Sequence, residues 1–130
     1  MFTLYIIRGL PGAGKDTLGE RLCPNRCFSA DQFFEVNGEY QFDPSKLKEA
    51  HAQCAQNVRK SLETGNTAVA NTFTQAWEYT PYINMAEELE CRWQLVSLFD
   101  QNLDLEILLK RNTHGVPMHS LQDMHDRYQH

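Results

Sequence analysis

The sequence predicts an α/β domain of three layers, a small parallel sheet of about four strands with helices on both faces. Three observations predict it. Short apolar runs of strand composition alternate with longer helical stretches along the whole chain. A glycine-rich loop stands between the first of those strands and the first helix. The 130 residues show no internal repeat, low-complexity tract or linker, so residues 1–130 read as one domain. A chain of that size buries about two thirds of its unfolded surface.

The elements follow in order. Residues 2–7, Phe-Thr-Leu-Tyr-Ile-Ile, form a short apolar run that reads as a buried strand. The loop covers 9–14, and a helix runs over 16–22 to a stop near Pro24. Residues 26–29 read as a short second strand. Asp43-Pro44-Ser45 opens a long helix, because proline at a first helical position lacks only an N–H that would be unpaired anyway. That helix runs to about Glu63 and stops at Gly65. Residues 67–70 are a third strand. Residues 75–90 are helical, with Pro81 expected to kink or restart the helix. Residues 93–99 make a fourth strand, 103–111 a helix, 114–117 a break, and 118–128 a last helix.

Composition narrows the classes of function. The net charge is −5, and the twelve basic residues are scattered. A binder of long nucleic acid needs a basic stripe that releases counterions, so no extended nucleic-acid groove is expected, although a grip on one end stays open. No apolar run reaches the ~20 residues that span a bilayer, which predicts no membrane partner. The first seven residues lack the basic region and cleavage site of a signal peptide, so the expected location is cytoplasmic. Cys23, Cys27, Cys54 and Cys91 have no second Cys/His pair at zinc spacing and read as free thiols in a reducing compartment.

The chemistry-bearing motif is Gly9-Leu10-Pro11-Gly12-Ala13-Gly14-Lys15-Asp16-Thr17. It meets the phosphate-loop pattern G-x-x-x-x-G-K-[ST] at every position but the last, where Asp16 stands. Glycines let successive backbone N–H groups curl around phosphate oxygens, and the next helix adds the positive end of its dipole. Lys15 supplies a point charge for the β- and γ-phosphates. Asp16 is a hard carboxylate that suits Mg²⁺, directly or through water; it is equally a residue that a helix dipole favours in its first turn. Thr17 is the alternative hydroxyl ligand.

Ligands of open parallel sheets sit beyond the carboxyl ends of the strands. Asp31, after the second strand, is at that edge, and its carboxylate either accepts the proton of an attacking hydroxyl or caps a turn. Asn71-Thr72-Phe73, after the third strand, either contacts the acceptor or forms a turn. Arg111 ends a helix, where it either closes on a transferring phosphoryl group or answers the dipole. Asp100, after the fourth strand, is a candidate metal residue or a helix cap. His114, His119, His125 and His130 do not repeat at helical spacing and form no single metal face. Trp77, Tyr79 and Tyr82 read as core or lid aromatics, or as a platform for a base.

Taken together these segments resemble the kinase domain of polynucleotide 5′-hydroxyl kinase and its small P-loop relatives, including those labelled AAA-family ATPases or zeta-toxin-like kinases. The likeness covers nearly the whole chain. It rests on residues 9–17, on Ser29-Ala30-Asp31-Gln32-Phe33-Phe34, on Asn71-Thr72, on Ala76-Trp77-Glu78, and on Lys110-Arg111-Asn112 before Gly115-Val116-Pro117. The resemblance implies a P-loop kinase fold, ATP as donor, Mg²⁺, a hydroxyl acceptor, Asp31 as general base and Arg111 as a lid arginine. The acceptor group is expected to be a hydroxyl or a phosphate, carried either by a small molecule, such as a nucleoside or nucleotide, or by a nucleic-acid end. Two positions depart from the family: Phe34 stands where polynucleotide kinase has an arginine, and Asn71-Thr72-Phe73 where it has Asp-Thr-Asn. Both shift the expectation toward a smaller acceptor. Lysine followed by aspartate and threonine also looks like the loop of some nucleoside monophosphate kinases. A nucleotide-binding regulatory module without catalysis and a simple ATPase are the rival functions.

Overall fold

The structure, a computed structural model, describes residues 1–99 and 104–130. Strands β1 (Thr3–Arg8), β2 (Cys27–Phe28), β5 (Thr67–Asn71) and β6 (Arg92–Ser97) form one sheet in the order β2-β5-β1-β6. Every pairing in it is parallel, with Ile6 beside Val69 on one side and Leu95 on the other. A second, two-stranded antiparallel ribbon pairs β3 (Glu35–Val36) with β4 (Glu39–Tyr40). The helices are α1 (Lys15–Leu22), α2 (Leu47–Leu62), α3 (Ala76–Glu88), α4 (Leu105–Arg111) and α5 (Met118–Arg127). The α/β class, the parallel sheet and the flanking helices are those the alternating pattern predicts.

Strands covered on both faces read as continuous apolar runs, and β5 is buried at every residue. On one face Leu4, Ile6 and Val69 meet Cys54, Val58 and Leu62 of α2 and Tyr82 and Ala86 of α3. Each such aliphatic side chain contributes about 1.5–3 kcal/mol on full burial. On the other face Ile7, Ala68 and Ala70 meet Cys23, Cys27 and Leu18 beside α1. A third cluster, Leu10, Leu108, Leu121 and Tyr128, fastens α4 and α5 to the glycine loop. All four cysteines are free thiols, and Cys91 alone of them is less than fully buried. Burial pushes the Cys27 thiol up to about 12, with the carboxylates of Asp16 and Glu20 adding to the effect. Among the described residues no helix is long and apolar enough to cross a membrane.

Several boundaries differ from expectation for local reasons. Pro81 lies inside one helix, α3, which continues through it rather than restarting. It follows the first turn closely, and Thr80 Oγ donates to the Ala76 carbonyl at 2.7 Å beside it. The long helix opens with a 3₁₀ turn, Pro44–Lys46, capped by Asp43, whose Oδ1 accepts from Ser45 N at 3.0 Å and Ser45 Oγ at 2.7 Å. Helix α4 begins at Leu105, with Asp104 Oδ1 accepting from Glu106 N at 2.9 Å. Asp100 and the expected helix start at Leu103 lie outside the described residues. Trp77 is 71% exposed and belongs to no core, whereas Tyr82 is buried.

Candidate functional site

The glycine loop leaves the carboxyl end of β1 and turns into α1. Gly12 and Gly14 hold φ of +87° and +92°, the left-handed region that side chains resist. A Cβ at Gly12 would lie 2.7 Å from the Leu108 carbonyl and 3.2 Å from Asn112 N, so this glycine also lets the loop touch the end of α4. Gly14 precedes α1 and offers no side-chain cap to its first turn. Those backbone N–H groups are therefore left for an outside acceptor, the setting in which helix N-termini take anions.

A cavity of about 820 Å³ opens above this loop. Its wall includes Pro11, Gly12, Ala13, Gly14, Lys15, Asp16 and Thr17 from the loop and α1. Asp31, Asn71, Thr72 and Arg111 line the same cavity, so three separated segments bring their expected site residues together. Gly9 is the exception. It lies beneath the loop, where its N–H donates to the Thr72 carbonyl at 3.3 Å and an added Cβ would press on Leu98 and Ala13.

Lys15 is half-buried, and its Nζ donates to the Leu10 carbonyl at 3.1 Å. Burial lowers its pKa, while the carboxylates of Asp16 and Asp31 pull the other way. Asp16 is exposed by area, yet its concave setting desolvates the carboxyl and raises its pKa; Lys15 opposes that shift and Asp31 adds to it. A bound polyphosphate would favour the ammonium form of Lys15. No group of three or more Cys, His, Asp or Glu among the described residues could cage a metal alone. One carboxylate and one hydroxyl in a phosphate loop do fit Mg²⁺, which keeps several waters and shares its shell with phosphates.

Asp31 sits in a 3₁₀ turn, Ala30–Phe34, directly after β2. The Asn71 side chain sets that turn in place: its Oδ1 accepts from Ala30 N at 2.9 Å, and its Nδ2 points at Cys54 Sγ at 3.9 Å. Asn71 is buried and its amide holds this turn, and Thr72 is the more open of the two. Asp31 Oδ1 accepts from Tyr40 Oη at 3.0 Å, and Oδ2 lies 3.2 Å from His114 Nδ1. Burial raises the Tyr40 pKa above its usual range, and the Asp31 carboxylate adds to this. Phe34 fills a small core with Ala30 and Ala50, which is why an arginine has no place there.

Phe73 holds a strained φ of +45°. Its ring is buried between Tyr79 and Tyr82, and the turn aims its carbonyl at Arg8. Arg8, the last residue of β1, is 2% exposed. Its guanidinium donates to the carbonyls of Phe73 at 2.8 Å, Thr74 at 3.2 Å and Gln129 at 2.6 Å. It also lies over the rings of Tyr128 at 4.2 Å and Tyr79 at 4.9 Å. Among the described residues no acidic side chain joins these contacts; carbonyl dipoles and aromatic rings face the charge.

Arg111 ends α4, exposed, on the cavity wall. The following turn is tied by Asn112: its Oδ1 accepts from Val116 N at 2.9 Å, and its Nδ2 donates to the Val116 carbonyl at 3.2 Å. Arg127 of α5 is a second arginine at the mouth, and its Nε donates to Thr74 Oγ at 3.2 Å. Sequence reasoning missed Tyr40, His114 and Arg127 as cavity residues and Arg8 as a buried structural cation. One signal was present: Asn37-Gly38, with φ of +53° and +83°, is the tight-turn dipeptide of the ribbon that carries Tyr40.

Comparison with known proteins bears on the family and the fold. The human NEDD4-binding protein 2 is 31% identical over 97% of this chain, which spans only 8% of that protein. A chain of the Pnkp1/Rnl/Hen1 RNA repair complex superposes over 98% of this chain and 44% of its own, with a TM-score of 0.74 at 17% identity. A gluconokinase from Sinorhizobium meliloti 1021 superposes over 98% of this chain and 75% of its own, with a TM-score of 0.60 at 13% identity. At those identities the two structures speak for the fold. The family described as AAA domain matches residues 4–130. The chain belongs to that family, and it shares its fold with the two structures above.

Proposed function

We propose that residues 1–130 act as one phosphotransferase domain that moves the γ-phosphoryl group of ATP to a hydroxyl acceptor. The observation that carries this reading is the convergence of the glycine loop with Lys15, Asp31 and Arg111, from three separate elements, on one cavity. Loop amides and Lys15 bind the triphosphate. Asp16 and Thr17 are the residues that would hold Mg²⁺, which when bound neutralises phosphate charge. Asp31 takes the acceptor proton as the acceptor oxygen bonds to phosphorus and the bond to the β-phosphate oxygen breaks, releasing ADP. Arg111 answers charge on the transferring group. Phosphoryl transfer depends mainly on such positioning and electrostatics.

The likeness to a gluconokinase and to a chain of an RNA repair complex supports two acceptor types, a small hydroxylic molecule and a nucleic-acid end. The four free thiols suit a reducing cytoplasm.

The test is a labelled γ-phosphate screen against nucleosides, nucleotides, 5′-hydroxyl oligonucleotides and sugar acids. Lys15→Ala should lose ATP binding by calorimetry. Asp31→Asn should keep ATP binding and lose transfer by roughly 10²–10⁴-fold, the usual worth of a general base. Full transfer in Asp31→Asn would refute its assignment, and ATP binding without transfer to any acceptor would refute the kinase reading.

A further inference from the structure

Both oxygens of the proposed base already have a partner. Tyr40 Oη donates to Asp31 Oδ1, and the His114 ring approaches Oδ2 at 3.2 Å. The His114 imidazole does a second thing: it lies flat on the Tyr40 ring, centroids 4.0 Å apart and planes 16° from parallel. Phe42, 49% exposed, continues the shelf at 10° to Tyr40. His114 thus sets a ring nitrogen beside Asp31 and a planar ring on Tyr40 at the same time.

We infer that His114 stands in the acceptor's place, and that the acceptor is a molecule with a planar aromatic ring close to its reactive hydroxyl. This rests on Asp31 being the base. Such an acceptor reproduces both contacts: its hydroxyl donates to Asp31 Oδ2, and its ring replaces imidazole on Tyr40. A ring-free polyol reproduces only the first. The histidine can leave without dismantling the fold. It sits in the turn that Asn112 ties, next to Gly115, where φ is +68° and an added Cβ would meet nothing within 4 Å. Its removal leaves the Asn112 bonds and the α4–α5 core intact. Because a closed state lowers apparent affinity by the fraction of open molecules, a turn closed nine times in ten weakens acceptor binding about tenfold.

The experiment uses the full chain saturated with a non-hydrolysable ATP analogue and magnesium, so that the donor site is filled. Adenosine is the ring-bearing probe and ribose the ring-free one. Ring resonances of His114, assigned by their absence in His114→Ala, are followed by NMR, and affinities are measured by calorimetry. Adenosine should shift the His114 signals and bind His114→Ala about tenfold more tightly than wild type. Ribose should do neither, and Tyr40→Leu should lose the preference for adenosine. Unmoved His114 signals, equal or weaker adenosine binding in His114→Ala, or equal effects of ribose would each overturn the inference. Asp31→Asn separates the two readings. Undiminished transfer there removes the base, whereas the adenosine-against-ribose comparison decides the ring site by binding alone.

Discussion

Gly12→Ala should destabilise the protein much more than Gly14→Ala, although both replace a loop glycine of left-handed φ. The conformational part is shared: a Cβ at φ near +90° costs roughly 1–2 kcal/mol, and both variants recover a similar entropy term in the unfolded chain. The surroundings differ. A Cβ at Gly14 meets nothing within 4 Å. At Gly12 it would sit 2.7 Å from the Leu108 carbonyl, 3.2 Å from Asn112 N and 3.3 Å from Arg111 Cβ. The first two atoms are joined by a helix-ending hydrogen bond of 2.9 Å, and backbone cannot rotate aside. Overpacking of this kind costs about 1–3 kcal/mol. The gap between the variants should therefore be about 1–3 kcal/mol in urea unfolding, or on the order of 5–10 °C in Tm. Far-UV circular dichroism measures both. Equal destabilisation of the two variants, or a smaller effect at Gly12, would refute the claimed contact between loop and helix.

Arg8→Met keeps much of the side-chain volume but strands the buried Phe73 carbonyl, a loss of about 1–3 kcal/mol, and takes one donor each from Thr74, whose carbonyl keeps Gln129 N, and from the part-buried Gln129 carbonyl, so the urea midpoint should fall. Arg8→Lys should recover only part of it, because one ammonium cannot span the same acceptors. Cys27 makes stability pH-dependent with a definite sign. Its folded thiol pKa, about 12, exceeds the ordinary value of 9.0, so its contribution is complete below pH 9 and is lost as pH rises toward 12. Urea midpoints taken from pH 8 to pH 10.5 should fall less steeply in Cys27→Ala than in wild type. In iodoacetamide labelling of the native protein at pH 8, Cys91 should react first and Cys27 only on unfolding.

The sheet and the phosphate loop were legible because their signals are contiguous. An apolar run, a glycine loop, a lysine and a helix follow one another within some twenty residues. Asp31 was legible because the end of a parallel strand is where such a fold places ligands. His114 was not, since nothing near residue 114 shows that its turn reaches across to residue 31 and settles on a tyrosine ring. Arg8 fell between the apolar run of residues 2–7 and the loop of residues 9–14 and belonged to neither motif. Its partners are backbone carbonyls, which every residue has and no motif marks. Phe73 read as a lost hydrogen-bonding side chain, yet the acceptor it provides is its own carbonyl, turned toward Arg8 by a positive φ. Pro81 does not restart the helix, since α3 runs on through it from Ala76 to Glu88.

The guanidinium of Arg8 joins residue 8 to residue 129, a separation of 121 along the chain. During synthesis the first strand leaves the ribosome long before its distant carbonyl partner exists. Until then that strand carries a cation which cannot be sealed into an apolar interior, and contacts of such long range form late. The glycine loop begins at the very next residue, so under the proposed function completion of the nucleotide pocket waits on the arrival of α5. Shortening the chain by a few residues upstream of Tyr128 should therefore harm ATP binding more than the distance from the loop suggests.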